Sequence, residues 1–299
     1  MAKTILITGA TGKQGGAVIE ALLSAPNASE ISILALTRNP ESGAAKALTA
    51  KSEHIKLVKG NLDNCDAIFK ATGAHVDGVF LVSIPALGLR ANKTEETQGI
   101  ALVDAALQHG VEHFVFTSVD RGQDNPDTDV PHFITKANIE KHLRTQSGDK
   151  MTWTILRPTA FMDNITPGFG GKIMPTTWKV GLSPTTKLQI ISTVDIGWFG
   201  AQALLRPKDF AARTISLAGD ELTYNEANTI FKGVVGYDMP RTFDFIGSLI
   251  LWAIKGVGTM FRFFEKPGYA ADIEALRKEH PDLLNFQAWV ESSVFVTKK

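Results

Sequence analysis

A single cysteine, Cys65, stands in a chain of 299 residues. A lone thiol closes no internal disulfide and cannot build a cysteine-based zinc site, which fits a reducing, intracellular setting. Net charge is missing too, since Lys and Arg number 31 and Asp and Glu also number 31. A chain that neutralises many phosphates carries a basic surplus, so direct nucleic-acid binding is not expected. Long hydrophobic runs are also absent. The oiliest segment, "FIGSLILWAI" (Phe245–Ile254), is about half the roughly 20 apolar residues a membrane span needs, and Asp244 and Lys255 bracket it. It reads as a buried or pocket-lining helix. Met1 leads directly into "TILIT" without a signal-peptide h-region, so the expected compartment is the cytoplasm, with the nucleus added if the protein is regulatory.

Other absences narrow the chemistry. There is no internal repeat or low-complexity linker, no G-x-S-x-G elbow and no H-E-x-x-H. His54, His75, His109, His113, His132, His142 and His280 form no clear metal-ligand spacing, so no metal is expected.

Against these gaps stands an ordinary globular composition, 44% apolar and 21% charged, on a chain long enough to bury a sizeable core. "TILIT", "ISILALT", "IKLVKG", "DGVFLVS", "HFVFTS" and "WTILRP" are strand candidates, separated by helical patterns such as Ala17–Ser24 and Thr97–His109. Alternation of this kind makes βαβ units and hence a parallel sheet covered on both faces. From Thr159 to about Gln189 the pattern is irregular. It then returns to the sheet at "LQIIST" and "RTISLAG", around the helix "VDIGWFGAQALL", and is mostly helical after Leu222. The expected architecture is α/β: a Rossmann-type doubly wound parallel sheet with a smaller, mostly helical C-terminal lobe. The sheet domain is expected over 1–158 with returns at about 188–218, and the substrate or partner lobe over 159–187 and 219–299.

"GATGKQG" is the first motif that carries chemistry. Gly9 allows a sharp turn after the strand, Gly12 lets backbone N–H groups approach a pyrophosphate, and Gly15 lets the helix sit close on the sheet. The helix start then offers unpaired donors and a positive dipole end to an anion. The motif follows a strand and opens a helix, the context a dinucleotide fingerprint requires. At the end of the second strand, "ILALTRNP" places Thr37, Arg38 and Asn39 and delays any carboxylate until Glu41. Asp or Glu there selects NAD, whereas arginine's planar fork suits the 2′-phosphate of NADP(H).

Gly9-x-x-Gly12-x-x-Gly15, "TRNP", "KGNLDN" (Lys59–Asn64), "HFITK" (His132–Lys136), "LRPTAFMDN" (Leu156–Asn164) and the terminal "ADIEALRKEHPDLLNFQAWVES" occur in order along nearly the whole chain. This series resembles the NmrA-like proteins, atypical members of the short-chain dehydrogenase/reductase superfamily. The resemblance implies a Rossmann fold binding NADP(H). It further implies that Gly9, Thr11, Gly12, Lys13, Gln14 and Gly15 wrap the pyrophosphate and that Arg38 and Asn39 hold the 2′-phosphate. Asn61 and Leu62 would flank the adenine, Ser83, Ile84 and Pro85 would pass beneath the nicotinamide ribose, and Pro158, Thr159 and Phe161 would border the nicotinamide.

Ordinary short-chain dehydrogenases use Tyr-x-x-x-Lys, in which the phenol donates a proton and the lysine holds the ribose. In "HFITK" the lysine is kept as Lys136, while the tyrosine position holds His132. An imidazole can act as a general acid near neutral pH, so His132 and Lys136 are the catalytic candidates. Ser118 falls where the family's relatives place a substrate-facing hydroxyl. Large apolar residues in the irregular stretch and the C-terminal lobe, including Phe161, Trp178, Phe243, Phe245, Trp252 and Phe263, favour a hydrophobic or aromatic ligand. Two functions remain open: an NADPH-dependent reductase of a hydrophobic carbonyl, imine or activated alkene of secondary-metabolite type, or a redox sensor that acts through a protein partner.

Overall fold

Oily runs without strict alternation become strands buried on both faces. The computed structural model of the chain describes residues 3–83, 91–123 and 128–296, with the backbone alone at 91–93. Its strands are β1 (Lys3–Ile7), β2 (Ile31–Thr37), β3 (Ile55–Lys59), β4 (Gly78–Val82), β5 (His113–Thr117), β6 (Thr152–Pro158), β7 (Ala160–Phe161), β8 (Leu188–Ile191), β9 (Arg213–Leu217) and β10 (Asp220–Leu222). Seven form one sheet in the order β3-β2-β1-β4-β5-β6-β9, and the pairings from β3 through to β6 are all parallel. This is the Rossmann-type doubly wound arrangement expected from the alternating pattern. Strand order reverses between β1 and β4, which opens a crevice at their carboxyl ends.

The connecting helices are α1 (Lys13–Leu23), α2 (Gly43–Thr49), α3 (Cys65–Thr72), α4 (Ala91–Gln108) and α5 (Pro131–Ser147). After β6 come α6 (Ile173–Gly181), α7 (Thr193–Leu205), α8 (Pro207–Phe210), α9 (Tyr224–Val235), α10 (Asp244–Ala253), α11 (Lys255–Glu265), α12 (Ile273–Glu279) and α13 (Phe286–Ser292). The chain divides into two compact units. One comprises Met1–Val119, Ile134–Arg157 and Ile196–Ile215, the other Asp120–Phe133, Pro158–Asp195 and Ser216–Lys299.

In the first unit Leu6, Leu34, Val79, Leu81, Phe114 and Phe116 of the sheet pack with Leu102 and Val103 of α4 and with Ile139 and Leu143 of α5. The two helices meet at Gly99, where an added Cβ would lie 2.4 Å from Ile139 Cδ1. Buried Cys65 donates its thiol to Leu62 O, and burial together with the Asp63 charge pushes its pKa up to about 11. At neutral pH it is a closed, unreactive thiol.

The second unit is built on a three-stranded sheet, with β8 antiparallel to β10 and parallel to β7. Trp178, Phe231, Phe261, Phe264 and Phe286 are buried in this unit. Two expectations are corrected here. Leu188–Ile191 is a strand, but it joins this small sheet rather than the large one. All four of its residues are buried, so its pattern carries no mark of which sheet it enters.

The helix formed by the "FIGSLILWAI" segment is not buried. Its Gly247 side packs against Thr176 and Val180, while Phe245 (68% exposed), Leu249 (54%) and Trp252 (83%) face water. High mean hydropathy cannot reveal how a helix is rotated; a glycine that admits a close helix neighbour decides it. Among the described residues no single helix is long and apolar enough to cross a membrane.

Candidate functional site

The glycine turn takes its shape from local covalent geometry. Gly9 sits at φ 59°, in the left-handed region, and Gly12 N–H closes the turn onto Gly9 O at 2.8 Å. Gly12 caps α1 without any side-chain bond to the first turn, whose N–H groups have no intrahelical acceptors. A Cβ at Gly15 would lie 2.4 Å from Gly9 O and 2.8 Å from Thr8 O, so only glycine lets α1 start this close to β1. Thr8 fixes the adjoining strand ends by accepting Val82 N–H at 2.8 Å. Gln14 accepts the Thr117 hydroxyl at 2.6 Å, which ties the start of α1 to the end of β5. Thr11 and Lys13 are exposed at the mouth of the turn.

A cleft of about 570 Å³ opens at these strand ends, lined by Gly9, Thr11 and Gly12 from the turn and by Arg38, Asn39, Asn61 and Leu62. Exposed Arg38 thus enters the same cavity as the glycine turn, one strand away. Asn39 is braced locally, its N–H donating to Thr37 Oγ1 and its Oδ1 accepting Glu41 N–H. Glu41 pairs with Lys46 at 2.9 Å, and both are well exposed. Asn61 and Gln98 both donate to Asp63, at 2.5 and 2.6 Å, so one carboxylate orients two amides on this wall.

Lys136 lies in the middle of a buried polar cluster in the first unit. Its Nζ donates to Ser83 Oγ at 2.7 Å and to Glu95 Oε1 at 2.8 Å, beside the Phe116 ring. Glu95, 2% exposed, also accepts from Ser83 Oγ and from Thr135 Oγ1, each at 2.7 Å. Burial pushes the Glu95 carboxyl up, but the Lys136 charge and the bonds from Lys136, Thr135 and Ser83 outweigh it. The carboxyl is held below the ordinary glutamate range. Glu95 lines the cleft as well, so the ion pair borders the cavity that holds Arg38.

Sequence reasoning did not single out Glu95. The usable signal was its helical register: Glu95, Gly99, Leu102, Val103 and Ala106 share one buried face of α4, whereas neighbouring Glu96 is turned out enough to accept from Asn138.

The remaining candidates fall as follows. Ser118 is 5% exposed and donates at 2.5 Å to Glu140, which also pairs with Arg157 at 2.7 Å. Its hydroxyl serves an internal network rather than an open surface. His132 is half-buried one turn before Lys136 on α5, with its ring edge-to-face against Phe133 at 4.9 Å. It belongs to the second unit and Lys136 to the first.

Pro158, Thr159 and Phe161 also belong to the second unit, where Thr159 directs both its N–H and its hydroxyl to Leu217 O. Ile84 and Pro85 lie outside the described residues. The aromatic residues expected around a ligand divide between core and surface: Trp178 is buried, whereas Phe169, Phe243, Phe245 and Trp252 are exposed. His75, Asp77 and Glu112 bring ligand atoms within 4.8 Å of one another just before the amino ends of β4 and β5, the opposite ends of these strands from the cleft, where Asp77 already accepts Thr4 N–H at 2.6 Å.

The model of the NmrA-like family matches residues 1–290. An NmrA-like family domain-containing oxidoreductase of Aspergillus hancockii is 29% identical over 251 residues, covering 78% of this chain and 73% of that one. Among solved structures, the triphenylmethane reductase of Citrobacter sp., complexed with NADP(H), superposes with a TM-score of 0.73 at 21% identity, covering 97% of this chain and 99% of the other. NmrA, a negative transcriptional regulator crystallised with NADP, superposes at 0.68 and 17% identity, covering 99% and 96%. At these identities the two structures share the fold with this chain.

Proposed function

The chain belongs to the NmrA-like family, and we propose that it is an NADP(H)-dependent oxidoreductase acting on a carbonyl, imine or activated alkene of a hydrophobic small molecule. The observation that carries the reading is the single cleft shared by the glycine turn and Arg38. The residues present fit the cofactor. First-turn N–H groups of α1 suit a pyrophosphate, and a guanidinium at the end of β2, with no carboxylate before Glu41, suits a 2′-phosphate. Relatives described as oxidoreductases and a fold neighbour crystallised with NADP(H) support the same direction.

When bound, the cofactor supplies hydride. The chain's own residues provide position and protons. An ammonium has three N–H donors, and Lys136 directs two of them to Ser83 Oγ and Glu95 at close range. A third, longer contact runs to Ser83 O at 3.4 Å, and this is the one a ribose hydroxyl would replace. Glu95 fixes the position of Lys136 through their ion pair, and His132 or a water donates the proton. A second reading, a redox sensor without turnover, draws its support from one observation: the tyrosine position is held by His132.

Two measurements test the proposal. A panel of aromatic ketones, imines and quinones should contain a compound that makes the protein consume NADPH. Silence across the panel, together with widely different affinities for NADPH and NADP⁺, would favour the sensor. Arg38→Ala should weaken NADPH binding by about 1.5–3 kcal/mol, roughly ten- to a hundredfold, the range for a hydrogen bond to a charged group, and leave NADH nearly unchanged. Equal losses for both cofactors would remove Arg38 from this role.

A further inference from the structure

The second unit contains another cleft, of about 250 Å³, lined by Arg121, Arg262 and Lys266 together with Asp129, Phe263 and Pro267. Among the described residues that line this small cavity there are three cations and one carboxylate, in a chain whose total charge is zero. Residues distant in sequence are brought together here by Asp120, whose Oδ1 accepts Gly122 N–H at 2.9 Å and Ala270 N–H at 3.1 Å. That carboxylate binds the loop carrying Arg121 to the turn carrying Lys266 and Pro267. The cavity's own carboxylate, Asp129, meets Arg262 at 3.4 Å, with both side chains about 70% exposed, a pairing that water screens heavily. Nearby Glu265 is engaged elsewhere, with Ser183 N–H and the Thr186 hydroxyl.

Depth separates this cleft from a patch of surface lysines. Arg121 is only 6% exposed, so one of the lining cations lies at depth, where charges interact through a lower effective dielectric than in water. The apolar wall is equally defined. Phe263 is 6% exposed and sits in a ring cluster with Phe133, Phe264 and Tyr269. A cavity of about 250 Å³ holds the volume of about eight waters at ~30 Å³ each, enough for one ring and its carboxylate.

We infer that this cleft binds a small organic anion, an aromatic or similarly apolar carboxylate, with its charge on Arg121, Arg262 and Lys266 and its body against Phe263 and Pro267. A bidentate carboxylate matches the guanidinium fork, and the aromatic wall selects against a bare inorganic ion. That this anion belongs to the substrate's own carboxyl group rests on the reductase reading; the binding does not.

Calorimetric titration with benzoate, with benzyl alcohol as its uncharged counterpart, tests the inference, and NADPH is titrated in a separate run. Benzoate should bind saturably and about tenfold more tightly than benzyl alcohol, the scale of one charge-assisted contact. Added salt should weaken it, and acetate should bind less well for want of a ring. The double variant R262Q/K266Q changes two exposed side chains and should lose about tenfold in benzoate affinity while keeping its affinity for NADPH. Equal binding of benzoate and benzyl alcohol, no saturable benzoate binding, or an unaltered double variant would overturn the inference. Failure with benzoate alongside intact NADPH binding would leave the cofactor reading standing, and the converse result would sink that reading alone.

Discussion

Lys136→Met should destabilise the fold by about 3–5 kcal/mol, the cost of removing one partner from a buried ion pair. The residue lost is not itself the source of the damage. Glu95 would remain, 2% exposed, and among the described residues its charge would be met by the hydroxyls of Ser83 and Thr135. In the parent protein the Glu95 carboxyl titrates below its ordinary range, so its contribution is present above that range and is lost as pH falls through the lowered value. Without the lysine, burial, the largest single influence on this carboxyl, is opposed by the two hydroxyl bonds without the ammonium charge and favours the protonated acid in the folded state. The variant should therefore be most stable in acid and weaken as pH rises, opposite in slope to the parent. Urea unfolding at acidic and alkaline pH reads both the size and the sign. The double variant Lys136→Met with Glu95→Gln should recover more than half of the loss, because the stranded charge is gone. If the single variant shows the parent's pH slope, Glu95 does not carry the role given to it.

The second large effect belongs to His113, at the start of β5 and 1% exposed. Burial first, and then the charge of Lys3, lower its pKa from the ordinary 6.5 to about 4. Its ring nitrogens meet Thr152 Oγ1 at 2.7 Å and Thr154 Oγ1 at 3.0 Å. Both hydroxyls also lie in reach of carbonyls, Glu112 O and Phe210 O. A neutral imidazole has one N–H, so one threonine must turn its proton from its carbonyl to the ring. Between about 6.5 and 4 the unfolded chain takes up a proton that the folded chain refuses, so stability falls as pH drops through that window. The loss reaches about 3 kcal/mol. Unfolding free energies measured across this range should show the decline, and His113→Gln should flatten it. An equally steep decline in the variant would assign the acid sensitivity to other groups.

How far residues announce their own roles depends on the range of the interaction. The large sheet was legible because two-sided burial forces continuous apolar runs such as "VFLVS" and "FVFTS", and βαβ spacing forces those strands parallel. Gly9, Gly12 and Gly15 were legible because their requirement is local: a turn and a close helix start leave no room for a side chain. Arg38 was visible for a similar reason, since its distance from the turn is set by one strand.

What was hidden is made by pairs far apart in the chain. Glu95 and Glu96 are adjacent and chemically identical, and only the packing of α4 on α5 separates a buried ion-pair partner from a surface acid. The cations at 121, 262 and 266 are far apart in sequence and meet only in the fold, where Asp120 joins the segment after Arg121 to the turn that follows α11. Hydropathy misjudged Phe245–Ile254 because it measures how oily a segment is and not which way it faces.

The bare backbone at Gly99 fixes more than a packing distance. One turn along α4 from it stands Glu95, and one turn along α5 from Ile139 stands Lys136, so the gap bridged by the ion pair is gauged by an isoleucine resting on a residue that has no side chain. The charges inherit their spacing from a neutral neighbour. A side chain added at this uncharged position would therefore act on the distance between two buried charges that it never touches.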